Sequence, residues 1–337
     1  MQIAQTMNHI EAKSSNEEHL STYPTAHLIR EIGRGIKGAR SLSYDDARDL
    51  FKAIIDGRVS DLELGAILIA MRIKGESVDE IAGFLNAAEG SFSLLQAPQS
   101  SFAPIVIPSY NGSRRAANLT PLLALLLARA GAPVLVHGVV EDAGRVTSAE
   151  IFKELGIQVS TNHQHADEQW RQGLPVFMPI ENLAPRLAQL LALRKVVGLR
   201  NSTHTLVKIM QPFAQQALRL TSYTHPEYAT LLTEYFSVAT ANRGDIFLMR
   251  ATEGETVANT KKVQQIDWFH AGKKTTLVEA QVSSDEGLPI SPDAHGTAQW
   301  IKQVLSGHEP VPQNIAQQVD HCLIAVKKLV EKQDESQ

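Results

Sequence analysis

The sequence predicts an α/β protein. A small N-terminal helical domain precedes a larger α/β domain with a mostly parallel central sheet. Three observations carry this reading. Helix starts recur at Ser43, Ser60 and Ser77, each followed three residues later by an acid (Asp46, Glu63 and Glu80). From residue 105 onward, short apolar runs alternate with helical segments, the pattern of strands joined by crossovers. The chain has 337 residues, 43% of them hydrophobic, which suits two domains and a sizeable core.

Residues 1–23 are polar and aperiodic and read as a flexible tail. A helical domain is expected over 24–96. Its first helix spans His27 to Gly33, where Gly33, Gly35 and Gly38 break it. The three capped starts then predict helices at 44–56, 61–74 and 78–89, with Gly57, Gly75 and Gly90 at their ends. The middle helix, LELGAILIAMRIK, is apolar on most sides and belongs at the centre of a bundle.

The α/β domain is expected over 97–182 and 213–332. Ile105–Ile107 reads as a buried strand, and Leu122–Ala130 as a buried helix with Thr120 as N-cap and Pro121 at the first turn. Further strands are expected at 133–136, 157–159, 176–178, 217–220, 245–249 and 277–278. Helices are expected at 148–155, 183–198, 203–210, 226–240, 294–305 and 311–332. Between the first strand and its helix lies PSYNGSRRAANLTP (108–121). A helix N-terminus after a strand suits an anion, and Arg114 and Arg115 add two cations to that loop.

Net charge is −4, which argues against uniform nucleic-acid affinity, yet the charge is segregated. Ile180–Leu220 holds six basic residues and one acid, Ala97–Gly138 three arginines and no acid, and Arg30–Arg40 four basic residues against Glu31. Such windows suit an anionic partner, or acids elsewhere in the chain. The single cysteine, Cys322, excludes an internal disulfide, and the longest apolar run is too short to span a bilayer, so a cytoplasmic home with no membrane partner is expected.

Chemistry-bearing motifs are few. HQHADE (163–168) offers His163, His165, Asp167 and Glu168 as metal ligands, or as a solvated polar loop. The turn Thr252-Glu253-Gly254-Glu255 offers carboxylates to a metal, or is only a turn. No nucleophile elbow, Walker loop or cysteine–histidine zinc spacing is present.

Seven motifs carry a family resemblance: IGRG (32–35), DLELGAILIAMRIKGE (61–76), PIVIPSYNGSRRAANLTPLLALLLARAG (104–131), VHGVVED (136–142), VGLRNSTHTLVKI (197–209), SYTHPEY (222–228) and TEGETVAN (252–259). Together they resemble the anthranilate phosphoribosyltransferase family of glycosyltransferase family 3, and within it the divergent YbiB branch. The resemblance implies a nucleoside phosphorylase/phosphoribosyltransferase-like fold, with the helices of 183–212 joined to the helical domain. It also implies a homodimer formed through the helical domains.

The departures from the family are informative. Its glycine-rich GTGGD loop, which grips pyrophosphate, stands here as Pro108-Ser109-Tyr110-Asn111-Gly112. Its NIST element survives in part as Asn118-Leu119-Thr120. KHGNR becomes Val136-His137-Gly138-Val139-Val140, and the metal-binding Asp-Glu pair becomes Gly254-Glu255. Arg200 stands where the family keeps an arginine. The first expectation, implied by the resemblance to the YbiB branch and supported by the segregated charge, is a dimeric, sequence-independent nucleic-acid-binding protein, for single-stranded DNA or RNA, on a fold that has lost its substrate loop. Arg114, Arg115, Asn118, Thr120, Arg194, Lys195, Arg200 and Lys208 would bind phosphates, with no catalytic residue, no cofactor and no metal, Glu255 being the one remaining metal-ligand candidate. The alternative is a phosphoribosyl or glycosyl transferase with altered substrate, using Asn118, Thr120, Arg200 and Glu255, with Mg and phosphoribosyl pyrophosphate.

Overall fold

The computed structural model describes residues 21–35, 37–239, 243–281, 288 and 291–334. The expected tail thus falls largely outside the described residues. The helical domain comprises α1 (Ala26–Ile32), α2 (Tyr44–Ile55), α3 (Asp61–Lys74) and α4 (Val78–Glu89). Ser60 and Ser77 form full capping boxes with Glu63 and Glu80, and the Ser43 hydroxyl accepts from the Asp46 N–H. Glu80 is fully buried. Its carboxylate accepts from Leu42 N, Ser77 N and Lys74 Nζ, so its charge is met on all sides. α2 and α4 touch at Gly83, where a Cβ would lie 2.4 Å from the Tyr44 carbonyl oxygen.

The second domain carries a seven-stranded sheet of β1 (Ile105–Ser109), β2 (Val134–Gly138), β3 (Val176–Pro179), β4 (Ala217–Tyr223), β5 (Gly244–Arg250), β6 (Ile266–His270) and β7 (Lys273–Val278). The order is β3-β2-β1-β4-β5-β6-β7. The first five in that order run parallel, and β6 and β7 add an antiparallel edge. Successive side chains point to opposite faces. Ile105, Ile107, Val134, Val136, Leu218 and Leu220 pack into one core with α5 (Thr120–Arg129), α6 (Ser148–Glu154), α13 (Ala294–Leu305) and α14 (Gln313–Asp334). Val106, Leu135, Val176, Ala217, Ile246 and Leu248 pack into the other core, which continues through Leu206 and Leu187 into Leu50, Ile81 and Phe84 of the helical domain. One continuous core therefore joins the helical bundle to one face of the sheet.

Several expectations are corrected. Thr120 is not the cap of α5. It is the first helical residue, and the Thr120 N–H instead meets the Asn118 side-chain oxygen at 3.1 Å. Residues 157–159 make only an isolated bridge, Val159 to Phe177, because the segment turns directly into the next helix. HQHADE is not a loop: it opens α7 (His163–Arg171), with Asn162 accepting from the His165 N–H. The expected helix at 183–198 is three pieces, α8 (Ile180–Leu183), α9 (Pro185–Ala192) and α10 (Arg194–Val197), followed by α11 (Thr203–Leu206). Pro185 cannot continue α8 and starts α9 instead. β6 was not expected. Its polar Asp267 is satisfied across the strand pair by Lys274 and Thr276. α12 (Pro226–Ala239) follows β4.

No helix among the described residues is long and apolar enough to cross a membrane. Cys322 is fully buried in the core that α14 shares with α5, α6 and α13, and burial pushes its thiol well up.

Candidate functional site

Strand order reverses at β1, whose neighbours are β2 on one side and β4 on the other. Ligands of open parallel sheets sit beyond the carboxyl ends of the strands at such a point. A cleft of about 480 Å3 opens there. β4 contributes Thr221, Ser222 and Tyr223, β5 contributes Arg250, the loop after β1 contributes Asn111, and the α10–α11 region contributes Arg200, His204 and Lys208. Arg72 of α3 and Arg145 complete its cationic lining, so both domains build it.

The loop after β1 is closed by the chain's own acids. Glu253 and Gly254 form a tight turn with φ of 53° and 103°, and Thr252 and Glu255 exchange backbone hydrogen bonds across it. The turn aims both carboxylates at the loop. Glu255 is buried, and its Oε1 accepts from Asn111 N at 2.9 Å and Gly112 N at 2.7 Å. Its Oε2 lies 3.4 Å from the Thr120 hydroxyl. Glu253 accepts from the N–H groups of Arg114 and Arg115 and from the Ser113 hydroxyl. Burial opposes ionisation of Glu253, yet those N–H groups hold its carboxyl below the usual range. Only glycine fits at 254, since a Cβ there would lie 2.7 Å from the Asn111 side chain. The Asn111 amide donates to the Gly254 carbonyl at 2.8 Å, and its oxygen accepts from Arg200 Nη2.

These contacts decide where each expected site residue stands. Arg200 and Lys208 do line the cleft. Arg114 and Arg115 are exposed and share a notch of about 250 Å3 with Arg145 and Glu253. Arg194 and Lys195 are exposed, with no carboxylate ion pair among the described residues. Asn118 and Thr120 are corrected: neither has a free side-chain donor for a phosphate. Both are fully buried with those donors already engaged, the Asn118 amide with Ser148 Oγ and the Val146 carbonyl and the Thr120 hydroxyl with Glu255 Oε2. Arg219, counted in the basic window, is a buried strut whose Nη1 meets the Ile209 carbonyl at 3.0 Å. Arg72, Arg145, His204, Tyr228 and Thr221 were not expected, because they come from five separate segments and share no motif.

The electrostatics follow from burial among like charges. Burial lowers the Lys208 ammonium to about 8, with Arg200 pushing the same way and Glu255 opposing. Burial and Arg200 bring His204 down to about 4. Arg200 is itself lowered by burial, then by Arg194 and Arg145. At the floor, the Thr221 hydroxyl is buried without a hydrogen-bond partner.

The Mg that the family resemblance implies does not fit this donor set. Both Glu255 oxygens face loop donors, Glu253 is held by three more, and residue 254 carries no carboxylate. Among the described residues no group of three or more His, Cys, Asp or Glu could hold a metal ion, HQHADE included. The surrounding lysine and arginines repel a divalent cation.

Beside the cleft, Tyr110 and His137 are both buried, with Oη 2.7 Å from Nδ1. Burial pushes the His137 imidazole down to about 3. It stays neutral in the fold where the unfolded chain protonates, so stability is full above pH 6.5 and is lost on acidification toward pH 3. One such histidine removes about 2 kcal/mol between neutrality and pH 5. His137→Asn should lose less stability over that interval, as read by urea unfolding at pH 7.5 and pH 5. Equal losses in both proteins would refute the assignment.

Comparison with known proteins agrees with this architecture. Residues 26–89 match the helical bundle domain of the glycosyl transferase family. YbiB of Escherichia coli K12 is 45% identical over 300 residues, covering 88% of this chain and 93% of that protein. An anthranilate phosphoribosyltransferase of Methanopyrus kandleri is 24% identical over 290 residues, covering 83% and 84%. The crystal structure of the Thermus thermophilus anthranilate phosphoribosyltransferase superposes with a TM-score of 0.65 at 21% identity, covering 90% of this chain and 89% of that one. The Saccharomyces cerevisiae enzyme in complex with PRPP and Mg gives 0.66 at 14% identity, covering 91% and 89%. With the bundle, the sheet order and the interdomain cleft all in place, the chain belongs to the YbiB family, a branch of the glycosyl transferase family built on the anthranilate phosphoribosyltransferase fold.

Proposed function

We propose that the protein is a phosphoribosyl- or glycosyl-transferase-type protein with an altered substrate, and that its cleft takes a small phosphate-bearing molecule. One observation carries this. Five cationic side chains, Arg72, Arg145, Arg200, Lys208 and Arg250, line a cleft of about 480 Å3 whose only acid among the described residues, Glu253, is engaged by the loop. The volume suits a sugar phosphate. The named transferase relatives favour this reading over nucleic-acid binding.

Nucleic-acid binding is the second reading, favoured by one feature of the rim. Arg145 lines both the cleft and the outer notch, so cations run from Arg194 and Arg200 through Arg145 to Arg114 and Arg115. A strip of this kind tracks a phosphate backbone with strong salt dependence. Melting with ribose 5-phosphate and with phosphoribosyl pyrophosphate separates the readings, because a native-state ligand raises Tm. A rise of several degrees at millimolar ligand is expected. No rise with either, together with salt-sensitive binding of single-stranded DNA, would transfer the assignment to the rim.

The protein is also proposed to be a homodimer through α1 and α3. Ile29, Ile32, Ala66, Ile69 and Ile73 line an apolar groove there, and Leu62 is 86% and Ile73 60% exposed. A contiguous apolar face on a soluble domain wants a partner. Sedimentation should give twice 36.9 kDa, and Leu62→Glu with Ile73→Glu should yield a monomer. A monomeric wild type at micromolar concentration would refute the dimer.

A further inference from the structure

We propose that the cleft binds a phosphate monoester of a small polyhydroxy molecule directly on Arg200, Lys208 and Thr221, with no metal ion in the complex. This rests on the small-phosphate reading of the cleft and names its ligand class.

The donors in the cleft are under-used. Arg200 spends one nitrogen on Asn111, leaving most of its five N–H groups free for an anion. Lys208 Nζ has only a 3.4 Å contact to the Gly254 carbonyl, and it makes no ion pair among the described residues. Thr221 adds a buried, unpartnered hydroxyl from the same wall. Arg219 and Thr221 share the sheet face of Ala217, which turns toward the helical domain, so that hydroxyl points away from bulk solvent. Two cations and a hydroxyl around one cavity match a tetrahedral oxyanion. Further along, His204, Thr205, Ser222 and Tyr228 offer polar groups of the kind that meet sugar hydroxyls.

The contacts of the loop after β1 leave no seat there for a metal or for a phosphate on the backbone N–H groups. A metal would need carboxylates that Asn111 N, Gly112 N, Arg114 N and Arg115 N already hold. Those four N–H groups, filled by Glu255 and Glu253, are closed to a phosphate as well. The cleft therefore has direct cationic side-chain contacts for a phosphate and no free seat for a metal-bridged pair.

The test is calorimetric titration of the full-length chain with ribose 5-phosphate, phosphoribosyl pyrophosphate and inorganic phosphate, each in EDTA and in Mg. Ribose 5-phosphate should bind with affinity unchanged within about threefold between the two buffers. Phosphoribosyl pyrophosphate should bind no tighter in Mg than in EDTA. Lys208→Met should weaken ribose 5-phosphate at least tenfold, and the near-isosteric Thr221→Val severalfold, each with an unfolding midpoint close to wild type. Wild-type affinity should fall as pH rises from 7 to 9.5, and Lys208→Met should lose that dependence. A tenfold requirement for Mg, selectivity for phosphoribosyl pyrophosphate, or unchanged affinity in folded Thr221→Val would overturn the inference and leave the small-phosphate reading standing. No binding of any of the three ligands in either buffer would remove that reading itself.

Discussion

Glu255→Ala should cost the fold about 3 kcal/mol, the largest loss expected of any single change at the site. Glu255 is buried, and its removal leaves the N–H groups of Asn111 and Gly112 without an acceptor. Unpaired buried donors cost about 1–3 kcal/mol each, and more where the lost acceptor was charged. The loss should show as a lower urea midpoint. Added inorganic phosphate should recover part of it, because the emptied loop becomes an anion seat of backbone N–H groups. Phosphate should therefore raise the variant's Tm more than the wild type's. Glu255→Gln, which keeps an acceptor oxygen, should lose less than half as much. An unchanged midpoint in Glu255→Ala would mean that the carboxylate does not hold the loop.

Arg200→Ala should weaken a phosphorylated ligand at least thirtyfold, on the order of 2 kcal/mol, the loss of one charge-assisted contact. The effect should exceed that of Arg194→Glu with Lys195→Glu, since those two stand exposed at the rim while Arg200 is partly buried in the cleft. Burial matters because a charge pair strengthens as solvent is removed. Under the nucleic-acid reading the order reverses: the rim pair would dominate and the salt slope would fall by about one per lost contact. Calorimetry with ribose 5-phosphate and fluorescence titration with single-stranded DNA distinguish the two orders. Equal affinity of wild type and folded Arg200→Ala for both ligands would remove Arg200 from either site.

Much of the architecture is local and therefore legible in the chain. The capping boxes at Ser60 and Ser77 need only residues three apart, and α3 and α4 begin where those boxes put them. The strands at 105, 134, 176, 217 and 244 read as apolar runs because parallel strands are buried on both faces. The departures at Tyr110, Asn111 and Gly254 were visible too, since a motif is a property of sequence. Arg200 and Lys208 were legible as part of one basic window.

Only the tertiary structure decided what those residues do. In the sequence Glu253 and Glu255 belong to a turn that could offer carboxylates to a metal or be only a turn, with Glu255 alone matching the family's metal-binding pair. Folding brings them against a loop about 140 residues away in sequence, where their charge is met by backbone N–H groups and the Ser113 hydroxyl. Asn118 and Thr120 looked like a phosphate seat, and packing of α5 buries both. Six basic residues in one window separate into exposed Arg186, Arg194 and Lys195, cleft-lining Arg200 and Lys208, and buried Arg219. Thr221 carries no sequence signal, and Arg72 lies in a resemblance motif (61–76) that assigns it no role. The physical reason is common to all of them. Whether a charged or polar group serves as a ligand contact depends on its solvation and its partners, and both are set by segments far apart in the chain.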